Sequence, residues 1–249
     1  MRYLYQIPRI IPALLIILIF TGTAAAQMFS VGSAPQADRS PDPLNSLTLN
    51  YVFADFSYFD NVTPDVPEVL YDFNGPLYRV QYENPLLNVY GMIGSSLGED
   101  NAVRVAGIGV QLSAYLPIYM RPRFRALLPA MLSTDYLLIR TSETAGTNQE
   151  FAQNTGYIGT GLQFDIRARE NLRLQSKSLA SIGYMVGTFG SDGGVSYKFE
   201  QQIRIFIDRL FGNAGLALGT DLRYIRYNSN NDNFMYDLQQ ISVVAGVTF

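Results

Sequence analysis

The sequence predicts an all-β fold, an antiparallel up-and-down barrel of about ten strands. Three observations lead to this prediction. Beyond Ser46, apolar side chains alternate with polar or small ones, which is the period of strands that have two different faces. Several alternating segments are 14 to 18 residues long, whereas strands in soluble sheets usually have about 5 or 6 residues. The connections between the segments are alternately long and short, as in a meander.

The chain contains ten alternating segments. They lie at approximately 46–58, 76–84, 86–95, 102–118, 123–140, 155–169, 172–189, 194–209, 213–228 and 236–249. The clearest is 194–209, where the apolar face would carry Val195, Tyr197, Phe199, Ile203 and Ile205. Its polar face would carry Ser196, Lys198, Glu200, Gln202 and Arg204.

The connections differ between the two ends of the predicted sheet. The long ones are acidic and rich in Asn: 57–75, 95–101, 141–154, 190–194 and 228–234. The tight ones, such as Glu83-Asn84-Pro85 and 119–123, are rich in Arg and Pro. Outer-membrane barrels have short periplasmic turns and longer extracellular loops, so this asymmetry favours a transmembrane barrel formed by residues 46–249.

The polar face indicates which side of the sheet is inside. Alternating strands can bury an apolar face in a soluble barrel, or turn it towards lipid in a membrane barrel. Small residues occupy mid-strand positions of the polar face, as at Gly107, Gly109 and Ser113. Small residues leave space for long charged neighbours in a narrow lumen, whereas a solvated outer face has no need of them. We therefore expect the polar face to line the lumen.

Eleven charged residues are candidates for a lumen charge network. They are Arg79, Glu83, Asp165, Arg167, Arg173, Lys177, Lys198, Glu200, Arg204, Asp221 and Arg223. Charges in a low-dielectric enclosure must be paired or hydrated, so we expect cross-strand ion pairs, with Lys198 and Glu200 facing Asp221, Arg223 and Arg173. Two interpretations remain open: a plug of side chains, or a thin aqueous path with a weak preference for anions.

The N-terminus has the pattern of a secretory signal peptide over residues 1–26. Arg2 and Arg9 precede an apolar run at 10–20, and small residues follow it. The run is shorter than the roughly 20 residues of a membrane-spanning helix, which favours cleavage after Ala26 over an uncleaved anchor. Residues 27–45 contain three prolines and predict a flexible periplasmic lead-in.

The composition excludes several kinds of chemistry. The chain has no His, no Cys and no Trp, so Ser-His and Cys-His nucleophiles, disulfides and ordinary zinc, haem or iron-sulfur sites are excluded. A Ser-Lys pair at Lys177 and Ser181 would be separated by about 13 Å along one strand. The mildly acidic balance of 21 acidic and 18 basic residues does not suit nucleic acid. We expect no cofactor and no catalytic residue.

Acidic residues of the long connections form another candidate site. They are Asp60, Asp65, Glu68, Asp72, Glu99 and Asp100. Such carboxylates could bind a hard cation, bridge to lipopolysaccharide through one, or contact a partner protein. No twelve-residue calcium loop is present, so solvated loop acids are the preferred interpretation, and no metal site is predicted.

The last strand ends at an aromatic residue, with apolar residues at every second position before it. These residues are Ile241, Val243, Ala245, Val247 and Phe249. In this respect the chain resembles bacterial outer-membrane β-barrel proteins, although many of them have Tyr where Ile241 stands. The resemblance implies export to the outer membrane and recognition of this strand by the barrel-assembly machinery. Barrel enzymes of this class generally use a catalytic histidine, which this chain lacks.

Three functional hypotheses follow. The first is a non-enzymatic, structural or surface-interaction barrel of the outer membrane, with a polar lumen mostly filled by side chains. The second is a narrow, porin-like channel with a weak anion preference. The third is a secreted soluble β-barrel that binds an apolar ligand, with its apolar rows turned inward. For the first two we expect outer-membrane lipid and the assembly machinery as partners, with an unidentified surface or periplasmic protein as a further possibility and no nucleic acid.

Overall fold

The computed structural model describes residues 45–60, 68–95, 103–141, 150–187, 193–229 and 234–249. The predicted signal peptide and nearly all of the predicted lead-in lie outside the described residues. The described part belongs to one compact unit, Asp42–Phe249. Its ten strands are β1 (Ser46–Asp60), β2 (Glu68–Glu83), β3 (Leu87–Ser95), β4 (Val103–Arg121), β5 (Phe124–Thr141), β6 (Glu150–Arg169), β7 (Leu172–Gly187), β8 (Gly194–Phe211), β9 (Ala214–Ser229) and β10 (Phe234–Thr248). No helix within these ranges has the length and apolar character that a membrane span requires.

The strands form a closed antiparallel barrel. Each strand pairs with the next along the chain, and β10 returns to pair with β1 from Ser46 opposite Thr248 to Asp60 opposite Phe234. Closure satisfies the backbone N–H and C=O groups that an open sheet would leave unpaired at its two edges. The predicted fold class, an up-and-down barrel of ten strands, is confirmed.

Most predicted strand limits lie within three residues of the observed ones, but two strands begin earlier. β2 begins at Glu68 rather than near 76, and β6 begins at Glu150 rather than near 155. Gly75 and Pro76 indicated a turn, yet β2 runs through both, with Pro76 opposite Phe53 of β1. Because β1 extends to Asp60, it provides a backbone partner for this early part of β2.

The two ends of the barrel differ. We call one the turn end, because the strands are joined there by short turns at 84–86, 122–123, 170–171 and 212–213. The Asn84 side chain accepts hydrogen bonds from the backbone N–H groups of Leu86 (2.9 Å) and Leu87 (2.7 Å), and Gly212 adopts a φ of 64° that suits glycine. We call the other the loop end. There the connections are 61–67, 96–102, 142–149, 188–193 and 230–233.

The two faces of the wall have opposite polarity in the middle of the barrel. Apolar residues of the outward face are strongly exposed: Ile158 is 63% exposed and Ile203 is 45% exposed. The inward residues Arg79, Lys177 and Lys198 are at most 3% exposed. The apolar rows of the sequence therefore face outward, and the geometry contradicts the alternative of a soluble barrel with these rows inside.

Candidate functional site in the barrel interior

The interior consists of two layers with different chemistry. The half towards the loop end is lined by a buried apolar cluster. It comprises Val52, Ala54, Phe56, Phe73, Leu77, Tyr90, Met92, Val103, Val105, Leu137, Ile139, Phe151, Met185, Ile225, Tyr227, Tyr236 and Leu238. The middle and the half towards the turn end carry the charged side chains. The inner face is thus polar over only part of its length, whereas the sequence predicted a polar lumen throughout.

Aromatic rings fill the bore in the apolar layer. Tyr236 of β10 lies between Phe56 and Tyr227, with ring centroids 5.4 and 5.2 Å away, and also contacts Phe151 of β6 at 6.1 Å. The amide of Gln153 donates a 2.7 Å hydrogen bond to the phenol oxygen of Tyr236. Because Gln153 is on β6, this bond crosses the lumen rather than following the wall.

An ion network spans the middle of the barrel. Arg223 of β9 contacts Glu200 of β8, with Nη2 2.7 Å from Oε1. Lys198 of β8 lies 3.9 Å from Oε2 of Glu200 and 2.9 Å from Oδ2 of Asp135. Lys198 also donates to the Ser133 hydroxyl at 3.2 Å. Since Asp135 and Ser133 are on β5, three strands from β8 in the barrel order, these last contacts cross part of the bore.

Tyr90 of β3 connects this network to a second buried arginine. Arg223 Nη1 donates to the Tyr90 phenol oxygen at 2.8 Å, and its guanidinium lies 4.6 Å from the ring centroid. The guanidinium of Arg79 lies 5.2 Å from the same centroid and donates to the side-chain oxygen of Gln240. Among the described residues Arg79 makes no ion pair within 4.0 Å, so its direct contacts are the tyrosine ring and the amide.

Four more ion pairs lie nearer the turn end. Asp221 pairs with Arg204, whose Nη2 is 2.8 Å from Oδ2, and Lys177 of β7 is 3.1 Å from Glu83 of β2 across the bore. Arg173 forms a two-point contact with Asp208 at 2.6 and 2.9 Å. Arg125 lies 3.8 Å from Asp165. The pairs involving Glu83, Asp165 and Arg173 border a vestibule of about 270 Å³ that opens at the turn end.

All eleven predicted charges lie on the inward face. Glu83, Arg167 and Arg173 are half-buried, and the other eight are buried. Glu200 meets Arg223, as the strand order suggested. Asp221 contacts Arg204 rather than Lys198, and Arg173 contacts Asp208 rather than Glu200. The partners differ because the register of β8 against β7 and β9, which the sequence does not specify, decides which side chains meet.

Two inward carboxylates were missing from the sequence prediction. Asp208 lies on the same face of β8 as Arg204, with the apolar Phe206 between them, so extending the phase past Phe206 would have found it. Asp135 is flanked by Thr134 and Tyr136, which gives no clear phase. With both included, each of six inward carboxylates, Glu83, Asp135, Asp165, Glu200, Asp208 and Asp221, lies within 4.0 Å of a cation.

Glycines create the space that these side chains occupy. A Cβ at Gly109 would overlap the ring of Tyr90 and approach Oδ1 of Asp135 to 2.6 Å. One at Gly107 would lie 2.5 Å from the terminal methyl of Met92. These contacts explain why glycine interrupts the polar face at mid-strand.

The remaining predicted site residues are those of the candidate assembly strand and the acidic residues of the long connections. Ile241, Val243, Ala245, Val247 and Phe249 are exposed on the outward side, four of them as part of β10 and Phe249 just beyond its end. Asp60, Glu68 and Asp72, predicted as loop residues, belong to β1 and β2, because these strands extend further than expected. Asp72 accepts a 3.2 Å hydrogen bond from Ser57. Asp65, Glu99 and Asp100 lie outside the described residues. Among the residues that the structure describes, no group of three potential metal ligands occurs.

Comparison with known proteins relates the fold to solved membrane barrels. No protein-family model matches the chain, and no curated protein matches it. The outer-membrane protease OmpT from Escherichia coli superposes with a TM-score of 0.51 at 10% identity, covering 87% of this chain and 100% of OmpT. The transport unit of the autotransporter AIDA-I from Escherichia coli gives a TM-score of 0.40 at 9% identity, with 92% and 97% covered. The Ail protein of Yersinia pestis gives 0.25 at 11% identity, with 84% and 100% covered. The superposition with OmpT shows that the chain has the fold of the bacterial outer-membrane β-barrels.

Proposed function

We propose that this chain is an integral, non-enzymatic protein of the bacterial outer membrane that acts as a closed structural or surface-interaction barrel. The observation that carries the proposal is the two-layer filling of the bore, with side-chain contacts that join non-neighbouring strands. Lys198 with Asp135, Lys177 with Glu83, and Gln153 with Tyr236 each cross the lumen. Specificity would then reside on the surface of the barrel and at its loop end.

The polarity of the wall supports the membrane location. A band of exposed Ile, Leu, Val, Phe and Tyr surrounds the barrel, and burying it in hydrocarbon would remove a large apolar surface from water. By the usual arrangement of such barrels, the short turns face the periplasm and the loop end faces the cell exterior. Export would depend on the predicted signal peptide at 1–26.

The side-chain inventory supports a non-enzymatic role. The sequence has no histidine to act as a general base. Each of the six inward carboxylates lies within 4.0 Å of a cation. A carboxylate held in this way is poorly suited to proton transfer, since a general base needs access to the proton that it removes.

The sizes of the internal spaces favour a closed bore over the channel alternative. The vestibule at the turn end has a volume of about 270 Å³. Further in, a void of about 20 Å³ lies among Tyr90, Asp135 and Tyr157, which is room for about one water molecule. Beyond it the aromatic rings of the apolar layer occupy the bore.

Planar-bilayer recording tests the closed bore. We expect the purified, refolded protein to give no reproducible unitary conductance. Unitary steps whose size or ion selectivity changes in Arg204→Glu would show that ions pass the charge network, and would replace this proposal with the channel.

Fractionation and gel migration test the membrane barrel independently. The protein should require detergent for extraction, and it should migrate differently before and after boiling because a closed barrel resists the detergent until heated. Release into the soluble fraction, or a single migration position at all temperatures, would contradict the proposal.

A further inference from the structure

An amide side chain, that of Gln201, interrupts the apolar outer surface of β8 at the middle of the strand. The other outward residues of β8 between 195 and 207 are apolar: Val195, Tyr197, Phe199, Ile203, Ile205 and Ile207. Gln201 is half-buried and lies near the midpoint of Gly194–Phe211. An amide on a wall that faces hydrocarbon is costly, because acyl chains offer it no hydrogen-bond partner. Contact with lipid alone therefore does not explain a glutamine at this depth.

Two serines of β7 form a polar patch with this amide. Ser178 lies opposite Gln201 in the register, and its hydroxyl donates to Oε1 of Gln201. Nε2 of Gln201 donates to the hydroxyl oxygen of Ser176 at 3.1 Å and to the backbone oxygen of Gln202 at 3.3 Å. A hydroxyl oxygen and an amide oxygen each accept up to two hydrogen bonds, and both kinds of side chain also donate. The patch therefore has both the donors and the acceptors that a second copy of the patch requires.

Beside the patch, the outer surface has a hollow on β6 and β7 and a ridge on β8. Ala180 of β7 and Thr160 of β6 are exposed and lie opposite each other in the register, and Ala130 of β5 lies opposite Thr160. Phe199 of β8 lies opposite Ala180 on its other side and is 43% exposed. A shallow hollow of small side chains therefore adjoins a ridge of large ones, and a ridge of this size on one copy matches the hollow on another.

The same face is uncharged. The outward residues of β7 from 174 to 186 and of β8 from 195 to 207 include no acidic and no basic side chain. Juxtaposed like charges are the usual electrostatic penalty when two identical surfaces meet. Two copies that meet at this face avoid that penalty, whereas a charged partner would find no complementary charge here.

We propose that the outward face of β7 and β8 is the interface of a homodimer within the membrane. The inference rests on the proposed membrane location. Two copies inserted in the same direction are related by a two-fold axis along the membrane normal, so residues of equal depth meet. Because the side chains of Ser178 and Gln201 are hydrogen-bonded, they lie at nearly equal depth, and Gln201 of each copy would meet Ser178 of the other. The ridge at Phe199 would pack against the hollow at Ala180.

The physics of contacts in hydrocarbon supports this arrangement. Between membrane helices, small residues allow close approach, and Ser, Thr and Gln side chains form hydrogen bonds across the contact. The same requirements apply to two barrel walls, since lipid is apolar and only another protein offers donors and acceptors at this depth.

Disulfide crosslinking in lipid vesicles tests the interface directly, because the chain has no cysteine of its own. We expect oxidised Ser178→Cys, reconstituted at a high ratio of lipid to protein, to give a crosslinked dimer on non-reducing gels. Ile93→Cys is the matched control, since Ile93 is 67% exposed on the outer surface of β3, four strands from β7 in the barrel order. This control should stay monomeric. Absence of the dimer in Ser178→Cys, or equal amounts in the two variants, would overturn the proposal.

Energy transfer between fluorescently labelled copies, measured at increasing lipid dilution, gives the dissociation constant of the dimer. We expect Gln201→Leu to raise this constant by about tenfold or more, since the two-fold axis removes each lost contact twice. Ala180→Phe should also raise it, because the new ring fills the hollow. Gln239→Leu and Gly91→Phe make the matched changes at exposed outward positions of β10 and β3, and both should leave the constant unchanged.

Heat-modifiable migration first shows that each variant is folded. An unchanged dissociation constant in Gln201→Leu would then overturn the proposal, as would an equal increase in Gln239→Leu. A protein that is inserted in the membrane but monomeric at every dilution would contradict the dimer and leave the proposed function intact. A protein that fractionates as soluble would instead contradict the proposed function itself.

Discussion

Arg223 and Glu200 lie directly opposite each other on β9 and β8, and both Nε and Nη2 of Arg223 are 2.7 Å from Oε1 of Glu200. Glu200 is also the carboxylate that separates Arg223 from Lys198. Removing its charge would leave two buried cations with less compensation. We therefore expect Glu200→Gln to lower the free energy of unfolding by about 3–5 kcal/mol, measured by urea unfolding and far-UV circular dichroism in detergent. Asp237→Asn is the control, because the Arg226–Asp237 pair is exposed and 4.0 Å apart, and should cost less than about 1 kcal/mol. Equal losses in Glu200→Gln and Asp237→Asn would mean that burial does not strengthen the Arg223–Glu200 pair.

The contact between Lys177 and Glu83 predicts that a double substitution repairs a single one. In Lys177→Met, the half-buried Glu83 loses its ion-pair partner, and unfolding should become easier. In Lys177→Met/Glu83→Gln both charges are absent, so most of the stability should return, since a whole buried pair can be replaced at little cost. A double-mutant cycle from chemical unfolding measures the coupling. Additive losses in the double variant would show that the two residues do not stabilise each other.

Gly109 and Gly91 predict opposite outcomes for the same substitution. Gly109→Ala would force a methyl group against the Tyr90 ring and Asp135, and such overpacking costs about 1–3 kcal/mol. Gly91→Ala meets no neighbouring atom, so its stability should be unchanged or slightly raised by the lower backbone entropy of the unfolded chain. Unfolding midpoints of the two variants provide the comparison. An unchanged unfolding midpoint in Gly109→Ala would indicate that Tyr90 does not occupy the space beside β4.

Phe56 and Phe53, three positions apart on β1, test the apolar layer. Phe56 is buried against Phe151 and Tyr236, whereas Phe53 faces outward and is 56% exposed. Phe56→Ala should destabilise the barrel by about 3–5 kcal/mol, because it leaves a cavity among rings that cannot close over it. Phe53→Ala should cost less in detergent, since surfactant can fill the space. Denaturant unfolding measures both losses. A larger loss for Phe56→Ala than for Phe53→Ala would indicate a packed interior, and equal losses would indicate a loosely filled one.

The alternation of side chains was sufficient to predict β8. From Ser196 to Arg204 polar and apolar residues alternate apart from the consecutive polar residues Glu200, Gln201 and Gln202, so the strand, its phase and its lumen charges up to Arg204 followed directly. In β5, by contrast, Leu137, Leu138 and Ile139 are consecutive apolar residues. Both faces are apolar there, because one belongs to the outer surface of the barrel and the other packs in the internal apolar cluster. A pattern based on polarity cannot assign a phase to such a run, which is why the apolar layer and Asp135 were not predicted.

The sequence by itself determined that this chain forms long antiparallel strands with ten alternating segments, and that histidine- and thiol-dependent chemistry is absent. These properties depend on neighbours along the chain, so composition and a period of two were enough. Only the tertiary structure decided that Lys198 meets Asp135 and that Lys177 meets Glu83. The reason is that closure and strand register set the distance between residues on different strands, and no local pattern encodes that distance.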